Sequence, residues 1–416
     1  MVVLIDCDNF FASCERIMQP HLQSKPVAVL SNNDGCVVAR SSEVKKAGVK
    51  MGQPYHECKA VLDSIGAEVL SANFLLYRHF AKRMQGILRA IPADSIEVYS
   101  IDESFLIIQD GRVKDPAKWA ATLRQTILEW TGLPVSIGIG SSHALAKLAS
   151  HVAKKQDGVC VIDIDNPATE AILKQTKVGD IWGIGRRLAP KLEVCGIRTA
   201  YDFTKLDIHS HALGLLDAPT KDLLFQLQGW SEGSTAKPAH QKSIMYSRSF
   251  GASITDKNAL RASLAVFTSE LAAKLRKKEL VADRMIVSIR YRVPGKVHGK
   301  GVATELTFGE WSDDTFVLTQ TAEAALDMLF ESDKSYIKAM VLLPELRTVQ
   351  QLSLLSDSSN YTDDLLKAMD ALVRRYGAAG PHVATTMLNE SWRGKRSAVS
   401  PYNHAEWQSL PVVSSS

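Results

Sequence analysis

No stretch of this 416-residue sequence is apolar for the ~20 residues that a membrane-spanning helix needs, so no such span is expected. The opening run Met1-Val2-Val3-Leu4-Ile5 meets Asp6 and Asp8 at once, and no basic residue precedes it. It therefore reads as a buried strand and not as a secretion signal. Cysteine is present but unpatterned: Cys7, Cys14, Cys36, Cys58, Cys160 and Cys195 form no CxxC pair and no dense framework. Free thiols in a reducing cytoplasm are expected. There is no internal repeat, and no low-complexity tract ahead of a Gly/Ser/Pro-rich end. A phosphate-loop signature is also missing. Gly138-Ile139-Gly140-Ser141 has neither the GxGxxG spacing nor the GKS/T ending, and reads as a strand end followed by a serine helix cap.

The chain is too long for one ordinary core, and at roughly 100–200 residues per domain two to four domains are expected. Its net charge is only +4, yet residues 240–300 hold 13 Lys/Arg against 4 Asp/Glu. The remainder is therefore slightly acidic. This polarisation points to one region for a polyanion and another that holds cations or substrate.

Apolar periodicity and breakers predict a strand at 2–7, a helix at 11–18 stopped by Pro20, and short strands at 27–30 and 37–39 around the turn Asn32-Asn33-Asp34-Gly35. Helices at 41–47, 56–64 and 74–90 follow, then strands at 96–100 and 105–108. A helix at 116–130, a strand at 135–139, a helix at 143–154 and a strand at 159–162 complete the first part. The mix is α/β (α+β): a ferredoxin-like sheet with helices on one face. Residues 166–232 read as short helices, including pieces at 178–182 and 186–195 around Gly183-Ile184-Gly185. Residues 240–345 return to strands and helices as a second small α/β unit, and 346–416 read as a tail with one amphipathic helix at 362–376.

Asp6 ends the first strand, and Asp102-Glu103 lie at the end of another apolar run. Carboxylates at strand ends converge on one sheet edge and give the oxygen ligands that Mg²⁺ shares with substrate phosphates. A lone acid at a strand end is usually a solvated turn residue. Burying an uncompensated carboxylate costs several kcal/mol, which makes the run Ile5-Asp6-Cys7-Asp8 harder to read that way.

The segment Asp6-Cys7-Asp8-Asn9-Phe10-Phe11-Ala12-Ser13-Cys14-Glu15 resembles the opening motif of Y-family DNA polymerases, and Tyr99-Ser100-Ile101-Asp102-Glu103-Ser104-Phe105 resembles their second catalytic motif. Ser31-Asn32-Asn33-Asp34-Gly35-Cys36-Val37-Val38-Ala39-Arg40 and Trp182-Gly183-Ile184-Gly185-Arg186-Arg187 resemble the UmuC-type subgroup. The resemblance implies a right-hand polymerase: palm 1–24 and 73–165, fingers 25–72, a thumb with a helix-hairpin-helix at 166–232, a little finger at 240–345, and a tail at 346–416. The implied activity is error-prone translesion synthesis in the SOS response to DNA damage, with deoxynucleotides added to a primer 3′ end using two Mg²⁺. It makes Asp6, Asp102 and Glu103 metal-binding carboxylates and gives the backbone carbonyl of Cys7 to the nucleotide-associated metal.

From periodicity alone Phe11 is a core residue; the motif makes it the steric gate that leaves no room for a ribonucleotide 2′-hydroxyl. Ser42 and Lys45 stand where the family places Tyr and Arg near the triphosphate, and lysine lacks arginine's bidentate fork. Lys154 matches a lysine that reaches the triphosphate, although a lysine at a helix C-terminus also suits the helix dipole. For DNA, the resemblance implies phosphate contact at Gly183, Gly185, Arg186 and Arg187, and backbone contact by a little finger whose candidates are Lys242, Arg248, Lys274, Arg276, Lys277 and Lys278. Gln351-Leu352-Ser353-Leu354-Leu355 resembles the peptide by which bacterial polymerases bind the sliding clamp, with Leu355 in place of the usual Phe. The same resemblance implies a UmuD-like dimer and the RecA filament as partners, and a nucleoid-associated place in a bacterial cytoplasm. Two rivals remain at this stage: a nucleotide cyclase on a similar palm, against which the hairpin and the basic domain argue, and a non-catalytic DNA scaffold, against which the three carboxylates argue.

Overall fold

A computed structural model of the protein describes all residues except 110, 208–210, 231–240, 296–298, 350–360, 378–379, 395–396 and 402–416. The chain forms two compact units, one of residues 1–235 with 397–416 and one of residues 236–396.

The first unit opens with β1 (Val2–Cys7) and α1 (Phe10–Met18), then β2 (Val27–Leu30), β3 (Val37–Arg40), α2 (Ser42–Lys46), α3 (Tyr55–Ser64) and β4 (Glu68–Ser71). It continues with α4 (Phe74–Arg89), β5 (Ser95–Val98), β6 (Glu103–Ile107), α5 (Pro116–Thr131), β7 (Val135–Gly140), α6 (His143–Ala153) and β8 (Val159–Val161). Short helices α7 (Pro167–Gln175), α8 (Ala189–Val194), α9 (Ala200–Thr204) and α10 (Ala218–Leu227) follow.

The main sheet has strand order β5-β6-β1-β7-β8. β1 lies at its centre, antiparallel to both neighbours, and every residue of this β-branched run is buried. Alternation then sorts the side chains. Val3 and Ile5 join the core with α1, α4 and α5, whereas Val2 and Leu4 join Phe105 and Ala146 on the opposite face. Helices thus cover both faces, not one as the pattern suggested. The cause is local to β7: a Cβ at Gly138 would fall 2.1 Å from the Ser150 nitrogen, and one at Gly140 would fall 2.6 Å from the Leu145 Cβ. Without side chains at these two points, α6 lies directly on the strand. Ser142 caps it by accepting from the Leu145 N–H.

A smaller sheet, β3-β2-β4, carries α2 and α3 around a core that includes Leu30, Val37, Val44 and Leu62. In the helical part, Gly183-Ile184-Gly185 joins a 3₁₀ turn at Val178–Asp180 to α8. The second helix begins at Ala189, not at 186. Pro190 explains the difference: a helix starting at 186 would bring its ring against the carbonyl four residues back.

The second unit comprises β9 (Ile244–Ile254), α11 (Lys257–Lys277), β10 (Leu280–Tyr291), β11 (Lys300–Ser312), α12 (Thr315–Leu329), β12 (Tyr336–Leu343), β13 (Arg347–Thr348) and α13 (Tyr361–Tyr376). Its antiparallel sheet runs β11-β10-β12-β9, and α11 and α12 share one core with it. The expected tail does not stay separate. Trp392 is buried in this core, 5.7 Å from the Phe267 ring, and the Arg276 guanidinium grips Asp370 of α13 at 2.7 and 2.8 Å.

Candidate active site

Asp6 on β1 and Glu103 on β6 are direct cross-strand partners, so their side chains leave the sheet on the same face. Asp102 is tied in beside them: its carbonyl accepts from the Cys7 N–H at 3.0 Å, and its Oδ1 accepts from the Ser100 hydroxyl at 2.6 Å. Ser100 also accepts from the Asp102 and Glu103 amides at 3.2 and 3.1 Å, which fixes the turn entering β6. Among the described residues, no three His, Cys, Asp or Glu side chains are already drawn into a metal cage. The carboxylates hold lysines instead.

Both lysines come from one helix. Lys147 Nζ bonds Glu103 at 2.7 Å, and Lys154 Nζ, at the C-terminal end of α6, bonds Asp6 at 2.6 Å. They are seven residues apart, two turns, and hence on one face. Lys147 also stands 4.3 Å over the Tyr99 ring and 5.6 Å from that of Trp182. Sequence reasoning missed Lys147; its heptad spacing from Lys154 was the available signal. Asp6 and both lysines line a cleft of about 170 Å³.

Burial makes charge costly at this site. Burial pushes the Asp6 carboxyl up to about 7; Lys154 pulls it down, and Glu103 pushes it further up. Asp8 is also raised by burial, against a hydrogen bond from Ser136, whose hydroxyl lies 2.9 and 3.1 Å from its oxygens. Burial, and then the charges of Asp102 and Asp6, keep the Cys7 thiol well above its usual value, and the thiol turns into the core, 3.2 Å from the Met84 sulfur. The side-chain donors offered are thus carboxylate oxygens, the set that hard divalent ions take.

Phe11 stacks on Tyr77, ring centroids 4.2 Å apart and planes 11° apart, and meets Phe74 edge-on at 5.7 Å. Ser42 and Lys45 are exposed on α2. The Lys45 ammonium is held below its ordinary range by partial burial and then by the charges of Arg40 and Lys154. Arg40, Lys45 and Lys154 therefore share one cationic field. Arg40, which the sequence reading did not single out, is anchored through the Val49 carbonyl at 2.5 Å.

Gly183 has φ 92°, a left-handed turn residue, and a Cβ there would press on Leu223 at 3.2 Å. Gly185 is exposed beside it, as are Arg186 and Arg187 in the turn before α8. In the second unit, Lys242, Arg248, Lys274, Lys277 and Lys278 are exposed. Arg248 and Lys274 flank the Tyr246 ring at 5.1 and 5.0 Å, and Lys278 bonds Gln241. Arg276 is partly buried: its guanidinium bonds Asp370, the Asp313 carbonyl at 2.7 Å and Thr315 at 3.1 Å, which braces α11 to its neighbours. Sequence reasoning also missed Arg290 and Lys338, register partners on β10 and β12. Arg290 follows buried Ile289 and Lys338 precedes buried Ala339, which puts both on the sheet face away from the helices. Gln351, Leu352, Leu354 and Leu355 lie outside the described residues.

Carboxylates on two central strands, a small three-stranded sheet with cations beside them, a helical hairpin and a separate basic α/β unit together define a right-hand DNA polymerase of the Y family. Solved structures agree: a Y-family DNA polymerase chimera of Dbh and Dpo4 superposes with TM-score 0.67 at 25% identity, covering 83% of this chain and 99% of that one. DinB from Sulfolobus solfataricus shares the fold, with TM-score 0.51 at 24% identity and coverage of 83% and 99%. Residues 5–151 match the impB/mucB/samB family, 241–356 that family's C-terminal domain, and 363–413 a domain of unknown function, DUF4113. Protein UmuC of Salmonella typhimurium (strain LT2) is 31% identical over 96% of this chain and 97% of its own length. Protein ImpB of Salmonella typhimurium is 29% identical over 99% of each chain, and DNA polymerase IV 1 of Bacillus subtilis 31% over 69% of each. The chain belongs to the impB/mucB/samB family, the UmuC-type branch of the Y-family DNA polymerases. It is a template-directed DNA polymerase of translesion synthesis.

Proposed function

We propose that Asp6, Asp102, Glu103 and the Cys7 carbonyl hold two Mg²⁺ and that this site joins a deoxynucleotide to a primer 3′ end. The observation that carries the reading is the register pairing of Asp6 with Glu103 under two lysines of a single helix. Bound there, the metal supplies charge for both the attacking and the leaving oxygen of an in-line phosphoryl transfer. The chain's own groups do the rest. Lys154 is already poised at Asp6 and turns to the triphosphate, with Lys45, Arg40 and Ser42 forming the remainder of its cradle. Lys147 keeps Glu103 aimed at the cleft. Phe11, backed by Tyr77, lies under the sugar and excludes a 2′-hydroxyl.

Primer–template DNA is held by its backbone: by the Gly183–Gly185 turn with Arg186 and Arg187, and by Lys242, Arg248, Lys274, Lys277 and Lys278, with Arg290 and Lys338 added from the open sheet face. We take the domain limits expected from the sequence for residues 1–345, with 361–394 joining the little finger and the segment from 397 joining the first unit. We further propose that Gln351, Leu352, Leu354 and Leu355 bind the sliding clamp, that a UmuD-like dimer and the RecA filament act with the chain, and that it works at the nucleoid in the cytoplasm. Among the described residues no helix is long and apolar enough to cross a membrane.

Single-nucleotide insertion by Lys154→Ala tests the assignment. The KM for dNTP should rise about tenfold, the worth of one hydrogen bond to a charged group, while DNA affinity holds. An unchanged KM would confine Lys154 to bracing Asp6.

A further inference from the structure

The chain leaves the first unit after the thumb and returns to it only at residue 397. The returning segment docks in order. The amide and hydroxyl of Ser397 both donate to Asp34 Oδ2, at 2.9 and 3.1 Å. Ala398 exchanges bonds with Ser71: its carbonyl accepts the Ser71 N–H at 2.9 Å, and its N–H donates to the Ser71 hydroxyl at 3.1 Å. Val399 then forms a parallel bridge with Ser71. β4 is an edge of the small sheet, so this segment covers an edge that would otherwise stay open.

Ser400, which is buried, reaches further. Asn73 Nδ2 donates to its carbonyl at 3.3 Å and to its hydroxyl at 3.0 Å, across 327 residues of sequence. Asn73 also caps α4 through the Leu76 N–H at 3.2 Å. One turn on, Tyr77 donates its hydroxyl to Glu15 at 2.7 Å and stacks its ring on Phe11. Glu15 and Phe11 are themselves one turn apart on α1, as Asn73 and Tyr77 are on α4. Glu15 is fully buried; burial raises its pKa, and hydrogen bonds from Tyr77 at 2.7 Å and Gln19 at 3.2 Å oppose that rise. A buried carboxylate with this set of donors is held in one place.

We propose that residues 397–401 are a positioning strap for the sugar gate: Ser400 holds Asn73, the cap of α4, and so fixes the helix that carries the Tyr77 ring against which Phe11 lies. The segment falls within the stretch matched by a domain of unknown function, and this gives that stretch a task in substrate selection. Ser400 is a positioning residue here, acting through Asn73 and Tyr77. The inference rests on Phe11 being the gate, and its test keeps the two separable.

The measurement is the ratio of ribonucleotide to deoxynucleotide kcat/KM in the full-length protein. Ser400→Ala should raise it about 3- to 10-fold, the factor one buried hydrogen bond carries, and Ser400→Thr, which keeps the hydroxyl, should leave it at the wild-type value. Phe11→Ala, run alongside, should raise it more. If Phe11→Ala raises the ratio and Ser400→Ala does not, the strap is only a staple and the proposal is overturned, whatever happens to Tm. If Phe11→Ala leaves the ratio unchanged, the gate reading fails, and the ¹⁹F signal of 4-fluorophenylalanine at position 11 decides. A signal shifted by Ser400→Ala retains the strap as a positioning device for that ring, and an unmoved signal removes it.

Discussion

Glu15 shows how one residue can couple the site to stability. Burial holds its folded carboxyl above the unfolded value. Folding therefore favours the protonated form, so the stability it contributes is complete below the unfolded pKa and is lost as pH rises through the folded one. Glu15→Gln cannot ionise. Relative to wild type, its Tm should improve as pH rises above the ordinary glutamate range, and a difference flat in pH would mean that Glu15 is ordinary in the folded state. The carboxylates proposed to hold metal stood out in the sequence because short motifs surround them. Lys147, Arg40 and Ser400 were not. Lys147 reads as any lysine on an amphipathic helix until β6 brings Glu103 beneath it. Ser400 acquires its role only through a contact 327 residues away, which no local pattern encodes. A basic run likewise does not say which member turns inward, as Arg276 does to Asp370.

Among the elements, most strand and helix types followed the apolar periods; β4, a four-residue strand with polar residues at both ends, went unread, and the other differences lie at the ends. β11 runs through Lys300–Ser312, well beyond the apolar core of the pattern, because pairing with β10 carries it over Gly301 and Ser312, which have no apolar signal of their own. The cover of α6 on the palm sheet depended on two glycines whose meaning lay in the approach of another element. The 384–394 stretch looked like a polar tail, yet it buries Trp392 against Phe267. Trp392→Ala should therefore cost about 3–5 kcal/mol in denaturant unfolding of the second unit. A loss under about 0.5 kcal/mol, as for a surface site, would show that this stretch is not part of the core.

For the molecule as a whole, the charge polarisation seen in the sequence separates along the fold: acids gather at the palm sheet, while bases line the hairpin and the second unit. If Arg186 and Arg187 each meet a phosphate, replacing both by alanine should reduce the log–log salt slope of DNA binding by about 1.8. An unchanged slope would place DNA elsewhere. Two-metal phosphoryl transfer at the β1–β6 carboxylates stands or falls on primer extension by Asp102→Ala and Glu103→Ala, each assayed with its DNA affinity and with the UmuD-like partner supplied. Extension should fall by more than the roughly 10–100-fold that loss of an outer-shell group costs a metal site, while primer–template binding survives. Extension by either variant at near wild-type rate would contradict the assignment.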